Sequence, residues 1–122
     1  MSVRDARSIK KAIKIWDRSL AEDPLAHESH REKATLFFEL YELTKKSKYL
    51  NDALECYNKA IELCPNNVLY IIRRAKIYVL IDKNKARLDL EKVKTTDLGT
   101  NRLTIMYVNN FISQLESQLT AD

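Results

Sequence analysis

Between Ala53 and Pro65 the chain reads ALECYNKAIELCP, with small residues at 53 and 60, a large Tyr57 between them and a proline that stops the run. The same steps of four, three and five residues recur at Ala12, Trp16, Ser19 and Pro24, and again at Ala86, Leu90, Val93 and Leu98, where leucine stands in place of the proline. Residues three and four apart share one face of an α-helix. Small side chains on that face let a second helix approach closely, and a proline pushes the residue before it out of helical geometry. A chain carrying this pattern three times is constrained to a series of helical hairpins, each of which buries its apolar face by packing on a neighbour.

Composition narrows the fold class further. Glycine occurs once and proline twice in 122 residues, and no Val/Thr-rich alternating run is present. The expectation is therefore an all-α chain in one folding unit, with almost no strand. Apolar periodicity predicts six helices, over about residues 3–21, 25–46, 50–64, 68–81, 85–95 and 101–119, with turns at 47–48 and 82–84. Helix one places Ile9, Ala12, Ile13, Trp16 and Leu20 on one face, and helix two places Leu36, Phe37, Leu40, Tyr41 and Leu43. Helix four is apolar nearly all round, which predicts a central position. Helix six carries the stripe Leu103, Tyr107, Phe111 and Leu115, widened by Met106, Val108 and Ile112, before turning polar toward its end.

The stretch 34–67 resembles a tetratricopeptide repeat, a helix–turn–helix unit of 34 residues. Phe37 and Leu40 match the motif of its first helix, with Tyr41 at the usual small site and Thr44 at the usual aromatic one; Ala53, Tyr57, Ala60 and Pro65 match the second helix throughout. Residues 68–98 resemble the family through Ile71, Ala75, Tyr78, Ala86, Leu90 and Val93, with Arg74 where leucine is usual, and helix one resembles a lone second helix. The resemblance implies a short right-handed superhelical stack of antiparallel hairpins: a half repeat at 1–24, a repeat with a lengthened first helix at 25–67, a second repeat at 68–98 and a capping helix at 99–122. The second-helix motifs begin at Ala12, Ala53 and Ala86, so the first step is about two helical turns too long. That places the extra length in HESHREK, as an extension of helix two protruding beyond its neighbours.

The resemblance also implies a function. First helices line a concave groove in such stacks, and the family binds peptides or partner helices there. The implied wall is Phe38, Glu39 and Glu42 from helix two with Leu69, Ile72, Arg73, Lys76 and Val79 from helix four. Of the positions with which some members clamp a terminal carboxylate, only Arg73 carries a cation in register, so that clamp is not expected.

A second surface is the basic face of helix one, Arg4, Arg7, Lys11, Lys14 and Arg18, which suits phosphates of nucleic acid or of an anionic surface. The absence of interleaved aromatic residues argues against a nucleic-acid partner. A chain that begins with an unpaired second helix also leaves room for self-association at its N-terminal end. His27 and His30 are spaced for a metal on one helical turn, but no third ligand accompanies them. No glycine-rich phosphate loop or nucleophile elbow occurs, and neither Cys56 nor Cys64 has a histidine at helical spacing. The expectation is a non-enzyme without cofactor or metal. The net charge of +4 is spread among alternating acids and bases, and no apolar run is long enough to span a bilayer. With no secretory leader evident and two cysteines too far apart along a helix to bridge, a cytoplasmic protein is expected.

Overall fold

A computed structural model of the chain describes residues 5–120, which form six α-helices and, among the described residues, no strand. The described chain divides between Pro65 and Asn66 into two compact units. Arg4 lies outside the described residues.

The first unit holds α1 (Ala6–Glu22), α2 (His27–Thr44) and α3 (Ser47–Leu63). Asp5 starts α1 by accepting the Ser8 N–H at 2.8 Å, satisfying one of the backbone donors that a helix leaves free at its start. Thr44 ends α2: its hydroxyl donates to the Leu40 carbonyl at 2.7 Å and accepts the Lys46 N–H, while Lys45 takes left-handed geometry at φ 57. The turn is therefore at Lys45 and Lys46; Ser47 and Lys48, which periodicity leaves outside the helix, already belong to α3. Ile9, Ile13, Leu36, Leu40 and Tyr49 form one cluster of the core, with Trp16, Phe37 and Tyr41 packed against it. Burying an aliphatic side chain such as Leu40 contributes about 2 kcal/mol. Ala53 and Ala60 are both 0% exposed. Tyr57 is buried too, and its hydroxyl meets Thr35 Oγ1 at 3.2 Å, joining α3 to α2 within one hairpin.

The HESHREK segment does not protrude. Ser29 is buried, with its hydroxyl 3.5 Å from that of Ser19, and Lys33 pairs with Asp17 on α1 at 2.7 Å. The extra two turns of α2 are laid along α1 because both helices supply polar partners there.

The second unit holds α4 (Val68–Ile81), α5 (Lys83–Thr95) and α6 (Arg102–Thr120). Asn67 caps α4 by accepting the Leu69 and Tyr70 N–H groups. Asp82 closes α4 and opens α5 alone: its N–H donates to the Tyr78 carbonyl, and its carboxylate accepts from Asn84 and Lys85. One residue thus does what the sequence assigns to a three-residue turn. Gly99, at φ +71, makes the bend before α6, and Asn101 caps that helix through the Thr104 N–H at 3.0 Å. The unit's core includes Ile71, Ile72, Ala75, Ile77, Ala86, Leu90 and Val93. In α6 the buried stripe is Val108, Phe111, Leu115 and Leu119, at steps of three, four and four. It is shifted toward the C-terminus relative to the expected one, and leaves Leu103, Met106 and Tyr107 exposed.

Candidate functional site

The shift of the α6 stripe creates the most distinctive surface of the second unit. Leu69 and Arg73, one turn apart on α4, face Leu103, Thr104 and Tyr107 on α6 across a groove of about 310 Å³. The Asn67 and Asn101 caps fix where the two helices begin, so these residues fall in their opening turns. Leu103 is 77% exposed and Tyr107 45% exposed, which leaves apolar surface in water beside the groove.

Two neighbouring arginines on α4 have opposite fates, because successive residues of a helix point about 100° apart. Arg74 turns inward and is held by Asp89 on α5, Nη2 to Oδ1 at 2.6 Å. Arg73 is half-buried beside the groove and has no hydrogen-bond or salt-bridge partner among the described residues. A turn further along, the exposed Lys76 ammonium lies 5.8 Å from the Tyr107 ring and 5.9 Å from the Phe111 ring. No acid lines the groove, so it combines apolar contact with unopposed positive charge.

The structure treats the expected wall unevenly. Leu69, Arg73 and Lys76 come together with α6, whereas Ile72, at 0% exposure, is core and offers nothing to a ligand. Val79 is half-buried. Phe38, half-buried Glu39 and exposed Glu42 belong to the first unit, where the Phe38 ring stacks on Tyr41 at 6.0 Å. Leu103, Thr104 and Tyr107 are absent from the expected wall; the signal for them is Leu119, which extends the buried spacing to the end of α6 and turns the opening turns outward.

A larger depression of about 530 Å³ lies between α2 and α3. Its charges are of both signs: Lys33 is paired with Asp17, Lys59 reaches Glu62 at 3.5 Å, and Asp52 and Glu55 add further acid. Cys56, at its wall, has its thiol pushed up to about 11 by burial, so it is no nucleophile near neutrality. His30 is committed as well, its Nε2 donating to the Pro24 carbonyl at 3.0 Å. Among the described residues no group of three His, Cys, Asp or Glu is placed to hold a metal ion.

On α1, Arg7, Lys11, Lys14 and Arg18 are exposed, and Lys10 joins the first three around a shallow depression of about 450 Å³. Among the described residues no helix is long and apolar enough to cross a membrane. No protein-family model matches the chain, and no curated protein matches it.

Proposed function

We propose that the chain is a non-catalytic protein-interaction module of tetratricopeptide-like hairpins, and that the α4–α6 groove binds a peptide or helix of a partner protein. The observation that carries this reading is Arg73: a half-buried guanidinium without a counter-charge, flanked by exposed Leu69, Leu103 and Tyr107. A partner segment bearing a carboxylate between apolar side chains would satisfy both features, the charge by a two-pronged hydrogen bond and the aromatic and aliphatic surface by burial. The reading rests on residues of the second unit alone. Cys56 and Cys64, both in the first unit and unbridged, fit a reducing compartment such as the cytosol.

The experiment is a selection of peptides from a random displayed library on the immobilised protein, followed by affinity measurements on the selected sequences. The reading expects acidic–apolar peptides whose affinity falls about tenfold or more in Arg73→Glu and in Tyr107→Ala. Selected peptides that bind both variants like the parent protein would place binding elsewhere.

A further inference from the structure

We propose that the outer face of α1 is a peripheral docking surface for an anionic lipid bilayer. Arg7, Lys11, Lys14 and Arg18 are exposed on the side of the helix opposite Ile9 and Ile13, which are buried in the first unit's core, and exposed Lys10 flanks that side. None of the five has a hydrogen-bond or salt-bridge partner among the described residues. The helix carries only two acids, of which Asp17 is taken by Lys33 at 2.7 Å and Glu22 is its last residue. Arg7, Lys10, Lys11 and Lys14 surround a depression with no acid at its edge. From 7 to 18 the cations extend about 16 Å along the axis, enough to meet several phosphate-bearing groups at once.

Phosphates are shared by lipid headgroups and nucleic acids, and two features of this face favour lipid. Trp16, the one aromatic residue of α1, packs against the core side, so no ring is offered for base stacking. Ile15 is 62% exposed, four residues after Lys11 and three before Arg18, an aliphatic side chain held in water at the edge of the cations. An isoleucine in that place adds nothing to a phosphodiester contact, whereas at a bilayer it enters the boundary between headgroups and acyl chains. Because the apolar face of α1 is already buried, the helix lies on the surface and charge supplies most of the binding, which makes it sensitive to salt.

Sedimentation with vesicles tests this, using pure phosphatidylcholine and phosphatidylcholine with about 30% phosphatidylserine, at about 50 and 300 mM salt. The expected result is binding to the anionic vesicles alone, weakened about tenfold at the higher salt and about tenfold in Lys11→Glu/Lys14→Glu/Arg18→Glu. Ile15→Ser should weaken vesicle binding about threefold and leave affinity for a short DNA or RNA duplex unchanged. All four positions are exposed, and circular dichroism verifies that the variants stay folded. No sedimentation at low salt, binding indifferent to the triple substitution, an Ile15→Ser variant that binds vesicles like the parent, or tighter binding to the duplex than to anionic vesicles would each overturn the proposal.

Discussion

The Arg74 guanidinium grips the Asp89 carboxylate with two hydrogen bonds, Nε to Oδ2 at 3.0 Å and Nη2 to Oδ1 at 2.6 Å, and so joins α4 to α5. Asp89 is 5% exposed. Burial disfavours the Arg74 charge, but hydrogen bonding and attraction from Asp89 outweigh it, and the guanidinium is held above the ordinary arginine value. The Arg74 guanidinium also sits 5.6 Å from the Tyr78 ring, which Lys85 approaches at 5.7 Å. This largely buried ion pair ties the facing sides of α4 and α5 together.

Breaking that pair from one side leaves a partly buried charge without its partner. Asp89→Ala should destabilise the protein by about 3 kcal/mol, read as a lower urea midpoint, because the stranded guanidinium keeps its desolvation cost. Replacing both members, Arg74→Met with Asp89→Leu, should recover stability to within about 1 kcal/mol of the parent.

The alanines of α3 make a second prediction. Ala60 has 0% exposure, so Ala60→Leu drives extra carbons among buried neighbours and should cost about 2 kcal/mol or more. The same substitution at exposed Lys59 should change the urea midpoint by less than about 0.5 kcal/mol equivalent.

Alkaline pH should destabilise the first unit through Cys56. Burial raises its thiol from 9.0 to about 11, despite the opposing attraction of Lys33, so between those values the folded chain keeps a proton that the unfolded chain releases. Stability is complete below pH 9.0 and falls as pH rises toward about 11, by up to roughly 3 kcal/mol in all. Lys33 acts in the same direction at higher pH: burial opposes its charge, but the bond to Asp17 prevails and raises it above 10.5, so its stabilising pair is lost only as pH passes the raised value. Urea midpoints measured from neutral pH to about 10.5 should fall less steeply in Cys56→Ala than in the parent or in Cys64→Ala.

The two halves of α6 should respond differently to truncation. Phe111 is buried, and Phe111→Ala should cost about 3 kcal/mol. Leu103→Ser, at the exposed end, should alter thermal stability by less than about 0.5 kcal/mol.

What was legible in the sequence follows from which forces act locally. All six helices can be read from periodicity, and α4 has the bounds expected of it, because Pro65 and Asn67 mark its start and an apolar run marks its extent. The burial of Ala53 and Ala60 follows from their spacing. Helix ends were less legible where a side chain serves both sides of a turn, as Asp82 and Thr44 do, since one residue then replaces several. The first turns of α2 read as polar and free, yet Ser29 and Lys33 find partners on α1 that only tertiary structure supplies. In the candidate site, Leu69, Arg73 and Lys76 were visible on α4. Ile72 is fully buried and its neighbour Arg73 half-buried, a difference that depends on how α4 packs in the second unit, as does the outward turn of Leu103 and Tyr107.

The groove is tested most directly by backbone amide NMR of the ¹⁵N-labelled protein titrated with a selected acidic–apolar peptide. The saturating shifts should cluster at Leu69, Arg73, Leu103, Thr104 and Tyr107 and vanish in Arg73→Glu. Shifts confined to the first unit, or unchanged by that substitution, would contradict binding in the groove.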